Sequence, residues 1–369
     1  MECFDYTPIK KVDDLLISEL DGYSIDEVGL LKNDCLGIKE LSKIQAVIDI
    51  CNREYGAGLS FGGIVRSGLD DEKTFRILSE GYTQNVFQFS SAGMTRFLQD
   101  MRPQCIGDLI AAGALYRPAT LESGSAEKYL LCRREEVAPV YLWGTYDALK
   151  NTYGVLVFQE QLAQMAREVG GFSLAEGVRL LKLISKKKID VIRAMKEKFM
   201  TGAAAKGCPK EDAEHIWEMI EAGGGYLFNA SHATAYAVTS YVGAYLKANY
   251  PTAFYTVALR WADDKEIPLL MSRWNFARKP ASPEINTSRQ VFFTDYRTDE
   301  IFWSLGRIKQ LGAKAVSCIV EEREKTSLQL IEHFIHRIFY KLKKYAYWDD
   351  PDNAEESVRV PSTPGMYGT

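Results

Sequence analysis

Residues 223–251 contain the group of side chains whose types and spacing best suit the binding of an anion. The segment begins with three glycines, Gly223 to Gly225, whose backbone can adopt angles closed to other residues and let a ligand approach the main chain. Asn229 and Ser231 follow, and both suit the N-cap of a helix. A glycine loop that leads into a helix start is an anion site, because unpaired N–H groups and the positive end of the helix dipole point the same way.

The element that must position these groups is a long helix. From His232 onward the chain contains no helix breaker until Pro251, which disfavours helical geometry at Tyr250. His232 and Tyr236 lie four residues apart and therefore share one helix face. Two interpretations stay open on this pattern alone. In the first, the glycines form an ordinary turn, the histidine caps the helix and the tyrosines are core residues. In the second, the segment holds a phosphate.

Residues 226–237 resemble the fingers signature of C-family DNA polymerases, the bacterial replicative DNA polymerase III alpha subunits. The run is Tyr226-Leu-Phe228-Asn229-Ala-Ser231-His232-Ala-Thr-Ala-Tyr236-Ala, and the family has Tyr-Gly-Phe-Asn-Lys-Ser-His-…-Ala-Tyr-Ala. The resemblance implies that the following residues contact the sugar and triphosphate of an incoming deoxynucleotide: Tyr226, Asn229, Ser231, His232 and Tyr236. It further implies that His232 excludes a 2′-hydroxyl, with Tyr226 helping to hold it. Ala230 replaces the family's lysine and removes one phosphate contact.

Asp34 lies in a second segment of this resemblance, Gly-Leu-Leu-Lys-Asn-Asp34-Cys-Leu-Gly37, which is similar to the end of the family's palm. Spacing alone leaves Asp34 either as a turn residue or as a metal ligand after a short strand at Leu30 and Leu31. The resemblance implies that it is one of three catalytic carboxylates that hold Mg²⁺ in a two-metal site. The motif that supplies the other two, Pro-Asp-x-Asp-x-Asp-Phe, does not occur. Because two metals need several carboxylates, we expect the chain to be inactive without a partner chain that carries them.

A basic helix is expected after Ser173 and Glu176, which form a capping box. Its cluster of lysines suits a solvated face, but the resemblance implies contact with the triphosphate for Lys182, Lys186 and Lys187. Arg117, in the run Ala-Leu-Tyr-Arg117-Pro, is interpreted either as a phosphate contact or as a surface arginine. Further runs in family order are Val86-Phe-Gln-Phe-Ser-Ser-Ala-Gly-Met94, Tyr153-Gly-Val-Leu-Val-Phe-Gln-Glu-Gln161 and Leu305-Gly-Arg-Ile-Lys-Gln-Leu-Gly312.

Composition bounds the class of protein without identifying its ligand. The net charge is −4, so any contact with DNA must come from local patches rather than from bulk charge. Seven cysteines occur without a CxxC pair, which favours reduced thiols and no zinc site. We expect no membrane association and a cytoplasmic location, in a bacterium or a phage-infected host, because no apolar run has membrane-spanning length.

The fold class that follows is mainly α with small β elements: the helical fingers of a C-family polymerase attached to a remnant of a nucleotidyltransferase-type palm. Residues 1–40 are assigned to the palm remnant. Residues 41–345 are assigned to the fingers, with a small sheet near 285–310. Residues 346–369 are acidic and then bear Pro, Gly and Ser, which is typical of a disordered tail.

Two functions from different classes fit this organisation. The first is part of a DNA-directed DNA polymerase that binds deoxynucleoside triphosphates and primer–template DNA, completed by a second polymerase chain and joined by replisome proteins. The second is a non-catalytic nucleotide- or DNA-binding or assembly module derived from a polymerase. A neighbouring reading frame with the missing Asp-x-Asp motif would favour the first function.

Overall fold

The computed structural model describes residues 5–31, 33, 37–185, 189–272 and 280–325. Within them the chain is built from helices, with two antiparallel sheets of two strands each. The predicted mainly α fold with small β elements is confirmed. The chain divides into two compact units, residues 1–42 and 43–369.

The helices follow one another with short connections. They are α1 (Gly22–Glu27), α2 (Lys39–Tyr55), α3 (Phe61–Arg66), α4 (Glu72–Ser79), α5 (Ala92–Met101), α6 (Ile106–Leu115), α7 (Pro118–Glu122), α8 (Ser125–Arg133), α9 (Tyr146–Leu149), α10 (Gln159–Glu168), α11 (Leu174–Ser185), α12 (Ile189–Ala205), α13 (Lys210–Gly223), α14 (Ala230–Asn249), α15 (Pro251–Trp261), α16 (Glu266–Ser272) and α17 (Ala313–Lys325). Single 3₁₀ turns lie at Lys150–Thr152 and Leu305–Arg307.

The first unit contains a β-hairpin that the sequence did not indicate. Strands β1 (Ile9–Val12) and β2 (Leu15–Ser18) pair in antiparallel register, and α1 follows them. The strand expected at Leu30 and Leu31 was wrong. Gly29 has a φ of +82°, and the Leu30 N–H donates to the Ile25 carbonyl at 3.1 Å, which is a helix ending of the Schellman type.

The central helix of the second unit is α14, as the sequence predicted. Its N-cap is Asn229, and it ends before Tyr250, whose φ of −134° and ψ of 57° are not helical. Pro251 is then the first residue of α15. Helix α14 packs against α3, α4, α6 and α15, and its apolar face forms the middle of the largest core cluster.

Helices α9 to α13 surround a second core cluster, whose largest fully buried side chains are Trp217, Phe172 and Phe199. Two glycines allow these helices to approach closely. A Cβ at Gly177 would lie 2.9 Å from the Ala163 Cα, and a Cβ at Gly202 would lie 2.0 Å from the Gly170 carbonyl oxygen. Side chains at these positions would therefore separate α10 from α11 and α12.

The C-terminal part of the second unit carries the other small sheet. Strands β3 (Phe293–Asp295) and β4 (Glu300–Phe302) pair in antiparallel register, with Phe293 opposite Phe302. They lie inside the range 285–310. A third, smaller core cluster beneath α17 contains Leu305, Val316 and Ile319.

Candidate functional site

A short parallel bridge places the segment before α14 beside the segment before α10. The Gln159 N–H donates to the Phe228 carbonyl at 2.9 Å, and the Phe228 N–H donates to the Val157 carbonyl at 3.1 Å. The Gln159 side chain also donates to the Leu227 carbonyl at 3.3 Å. Two segments far apart in the sequence therefore enter their helices side by side.

The buried Gln161 fixes the start of α10. Its Oε1 accepts from the backbone N–H groups of Val157 and Phe158, both at 2.9 Å. Its Nε2 donates to the Ala148 carbonyl at 3.0 Å and to the Thr152 hydroxyl at 2.7 Å. Because all polar atoms of this side chain are paired in the interior, the first turn of α10 has one well-defined position.

A polar network occupies the start of α14. The Asn229 Oδ1 accepts from the His232 N–H at 2.8 Å and from the Ser231 hydroxyl at 2.6 Å. The Asn229 Nδ2 donates to the Glu160 Oε1 at 3.0 Å, and the Ala230 N–H donates to the Glu160 Oε2 at 2.9 Å. Asn229 is thus the N-cap, and Ser231, the other expected cap, lies inside the helix.

The carboxylate of Glu160 lies where the sequence suggested a phosphate. A negative charge at a helix N-terminus interacts favourably with the helix dipole. In this protein that charge is supplied by a side chain of α10. The helix start therefore already has an anionic partner within the protein.

Aromatic rings continue from this network along one face of α14. The His232 ring lies 4.2 Å from the Tyr236 ring at an interplanar angle of 33°, and meets the Phe228 ring edge-on at 5.5 Å. Tyr236 in turn packs against Phe87, with ring centroids 5.2 Å apart. The Arg117 guanidinium carbon lies 4.6 Å from the Phe228 ring centroid, a cation–π contact.

The rings of Phe228, His232 and Tyr236 line a cavity of about 420 Å³ between α5, α6 and α14. Its mouth carries Arg117, His232 and Tyr236, and its wall includes Phe89 and Met94. Gln88 also lines the cavity and has a φ of +61°, in the left-handed region that non-glycine residues rarely adopt. A pocket with a mostly apolar wall and a few polar groups at the mouth suits a small organic ligand with an anionic part.

The run of glycines before this segment serves packing. Gly223 is the last residue of α13, and Gly224 has a φ of −58°, so neither residue uses the backbone freedom of glycine. A Cβ at Gly224 would lie 2.2 Å from the Ile184 Cγ2, whereas a Cβ at Gly225 would meet nothing within 4 Å. The contact with Ile184 brings the C-terminal end of α11 next to the segment that leads to α14.

The basic helix predicted from the sequence is α11, and its capping box forms as predicted. The Ser173 N–H donates to Glu176 Oε2 at 3.0 Å, and the Glu176 N–H donates to the Ser173 hydroxyl at 3.2 Å. Lys182 is exposed on this helix, two residues before Ile184. Lys186 and Lys187 lie outside the described residues, as does Asp34.

The contacts of Tyr226 differ from the expectation that this residue helps to hold His232. Tyr226 is half-buried and packs against the second core cluster, and the rings that contact His232 are those of Phe228 and Tyr236. Among the residues that the structure describes, no group of three or more His, Cys, Asp or Glu side chains could hold a metal ion.

The buried half of α14 holds the segment that forms one wall of the cavity. The Ser240 hydroxyl donates to the Phe87 carbonyl at 2.8 Å, and the Lys247 Nζ donates to the carbonyls of Tyr82 and Gln84 at 2.8 and 2.7 Å. Lys247 is fully buried, and this burial lowers its pKa to about 7.

Sequence reasoning missed three residues of the site, namely Glu160, Phe228 and Gln88. Glu160 lies in the Gln-Glu-Gln run and Gln88 in the Val-Phe-Gln run, and both runs were treated as family markers without a role. Phe228 lies within the signature, and no role was assigned to it. The signal that could have identified Glu160 is an acidic residue in the first turn of a helix.

Comparison with known proteins agrees with the motif-based recognition. Residues 40–207 match the bacterial DNA polymerase III alpha subunit finger domain. Residues 280–347 match a helix-hairpin-helix motif, which the sequence analysis did not foresee. The chain is similar to the finger region of the C-family polymerase alpha subunits, so the recognition is confirmed.

Particular relatives are DNA polymerase III alpha subunits from several bacteria. The chain is 37% identical to that of Aquifex aeolicus over 311 residues, which cover 84% of this chain and 26% of the relative. It is 36% identical to that of Borreliella burgdorferi over 344 residues, 90% of this chain and 29% of the relative. It is 34% identical to that of Thermus aquaticus over 319 residues, which cover 84% of this chain and 26% of the relative. The chain thus spans between a quarter and a third of the length of these relatives.

The described part of the chain contains no helix that is both long and apolar enough to cross a membrane.

Proposed function

We propose that this chain supplies the nucleotide-binding finger region of a DNA-directed DNA polymerase that acts in DNA replication. The observation that carries the proposal is the cavity at the start of α14, with Arg117, His232 and Tyr236 at its mouth. This cavity lies between two segments that bear the family's motifs. The substrates are deoxynucleoside triphosphates and primer–template DNA.

The proposed nucleotide lies with its sugar against the exposed His232 ring and its phosphates toward positive charge. Glu160 already binds the Ala230 N–H, so the phosphates turn away from this carboxylate. Arg117 at the cavity mouth and Lys182 on α11 offer positive charge instead, and an arginine can bind a phosphate through two parallel hydrogen bonds. The planar His232 ring restricts the sugar's C2′ edge and disfavours a 2′-hydroxyl.

DNA contact is proposed for the helix-hairpin-helix region at residues 280–347. Exposed arginines in this region, such as Arg297, would contribute to the electrostatic binding of phosphates. Bulk charge does not provide it, since the whole chain carries a net charge of −4.

Nucleotide incorporation requires metal-binding carboxylates that lie beyond the described residues. We propose Asp34 as a ligand of Mg²⁺, with the remaining carboxylates and the rest of the palm on a second polymerase chain. No catalytic step is assigned to the described residues, because they contain no metal-binding cluster. The second candidate function is a non-catalytic nucleotide- or DNA-binding module that assembles with replisome proteins, and the helix-hairpin-helix match at residues 280–347 supports it.

The test is nucleotide binding by the purified chain, measured by calorimetry with a deoxynucleoside triphosphate, the matching ribonucleoside triphosphate and the deoxynucleoside. Arg117→Ala should weaken triphosphate binding about tenfold, since it removes a charge-assisted contact, and should leave deoxynucleoside binding unchanged. His232→Ala should reduce the preference for the deoxy sugar. Arg66→Ala, which removes an exposed arginine on α3, is the matched control and should leave triphosphate affinity unchanged.

Absence of triphosphate binding by the wild-type chain would contradict the proposal. Equal losses for triphosphate and nucleoside in Arg117→Ala would contradict its phosphate contact. Primer extension with and without a chain that carries the missing palm motif separates the two functions. Extension only in the mixture favours the polymerase, and DNA binding without extension in either case favours the non-catalytic module.

A further inference from the structure

Glu160 joins the two segments that build the candidate site, although no motif gave it a role. Each of its carboxylate oxygens accepts one hydrogen bond from the start of α14. Oε1 accepts from the Asn229 Nδ2 at 3.0 Å, and Oε2 accepts from the Ala230 N–H at 2.9 Å. A carboxylate can accept at both oxygens simultaneously and cannot donate when ionised, which matches these two donors.

The position of Glu160 is fixed from its own side. It is the second residue of α10, after the bridge between Gln159 and Phe228 and next to the fully hydrogen-bonded Gln161. The carboxylate therefore approaches the start of α14 from an anchored backbone.

This link determines which way the Asn229 amide faces. With Nδ2 donating to Glu160, Oδ1 faces the helix and accepts from the His232 N–H at 2.8 Å and from the Ser231 hydroxyl at 2.6 Å. A flipped amide would present its NH₂ group to the His232 N–H, and the cap would be lost. The hydrogen bond to Glu160 therefore favours the orientation of the Asn229 amide in which Oδ1 caps the helix.

The backbone of His232 depends on this cap, and its ring depends on the backbone. The ring lies between Phe228 and Tyr236, at 5.5 Å and 4.2 Å. A displaced His232 N–H would shift the ring against both neighbours. The side chain that faces the cavity mouth is thus held at the backbone by the cap and at the ring by stacking.

We propose that Glu160 is a positioning residue that holds His232 in place through Asn229, and so sets the discrimination between deoxy and ribo sugars. The discrimination part rests on the proposed function. The positioning part concerns the ligand-free protein and can be tested without any nucleotide.

The first measurement is the NMR signal of the His232 ring in the ligand-free chain. The chain has four histidines, so His232→Ala identifies the signal. Stacking on Tyr236 displaces this signal through the ring current of the tyrosine. In Glu160→Gln the ionic acceptor is replaced by an amide whose NH₂ group faces a donor, and the His232 signal should move toward that of an unstacked histidine. Glu160→Asp, a shorter carboxylate, should give an intermediate shift.

Glu168→Gln is the matched control. Glu168 also lies on α10 and also accepts from a side-chain amide, that of Gln164, whose Nε2 lies 2.8 Å away, but it lies at the opposite end of the helix. This control should leave the His232 signal unchanged. Thermal melting of each variant checks that a shifted signal belongs to a folded protein, and Glu160→Asp remains informative if Glu160→Gln does not fold.

The second measurement is the ratio of deoxy- to ribonucleoside triphosphate affinity. Glu160→Gln should lower this ratio about fivefold, the equivalent of one hydrogen bond, and should bring it close to the ratio of His232→Ala. An unchanged His232 signal in Glu160→Gln would overturn the positioning role whether or not nucleotides bind. A shifted signal with an unchanged sugar ratio would overturn the discrimination role. Absence of nucleotide binding by the wild-type chain would instead overturn the proposed function.

Discussion

The two ends of α14 both carry polar and ring-bearing side chains, but these side chains are exposed at one end and buried at the other. At the N-terminal end, Ser231 and His232 are exposed and their partners are side chains at the cavity mouth. At the C-terminal end, Tyr241 and Lys247 are buried and hold other backbone segments. The Tyr241 hydroxyl accepts from the Asp71 N–H at 2.8 Å, and Lys247 binds two carbonyls of the segment after α4.

This difference shows how one helix can be both scaffold and site. The buried end fixes where α14 lies, because its polar groups are paired and its apolar groups are packed. The exposed end can then carry ligand contacts without having to hold the fold together. Substitutions should therefore separate stability from binding along a single helix.

The largest expected effect contrasts two tyrosines on α14. Tyr241 is 1% exposed and packs against Phe75, with ring centroids 5.5 Å apart. Tyr241→Ala should lower the free energy of unfolding by about 3–5 kcal/mol, through loss of buried area and a cavity. Tyr236→Ala should lower it by about 1 kcal/mol, since this ring borders an open cavity. Urea unfolding measures both, and equal losses would contradict the division of α14 into an anchoring and a binding end.

A smaller effect is expected in the glycine run, where Gly224 and Gly225 differ in their surroundings. Gly224→Ala should destabilise the protein by about 1–3 kcal/mol, because its Cβ would overlap Ile184 next to the core. Gly225→Ala should change stability by less than about 0.5 kcal/mol, since a Cβ there meets nothing within 4 Å. Thermal melting with triphosphate binding tests this pair. A loss of binding in Gly225→Ala at unchanged stability would show that the run contacts the ligand directly.

Local signals in the sequence predicted the elements, and pairing over long distances escaped prediction. Asn229 and Pro251 mark the start and the end of α14 through contacts with residues that are close in the sequence. Ser173 and Glu176 mark the start of α11 in the same way. The contact of Glu160 with Ala230 joins residues 70 positions apart, and the local signal, an acidic residue in the first turn of α10, does not identify this partner. The packing role of Gly224 escaped prediction for the same reason, because the residue that requires a glycine there is Ile184 on another helix.

The smallest expected effect is the pH dependence that Lys247 gives to stability. Its folded-state pKa is about 7 because of burial, whereas an unfolded lysine has a pKa of about 10.4. Between these values the unfolded state binds more protons than the folded state, so stability rises with pH. The gain from about pH 7 to about pH 8 should be about 1 kcal/mol.

Lys247→Met removes the titrating group and should remove this gain, while Lys128→Met, at an exposed position on α8, should retain it. Urea unfolding at several pH values measures the slopes. The two accepting carbonyls and the rings of Phe254 and Tyr255, 5.7 and 5.5 Å from Nζ, favour the charged form and oppose the effect of burial. Equal slopes in the wild type and Lys247→Met would show that these contacts prevail and that Lys247 anchors the segment after α4 as a cation.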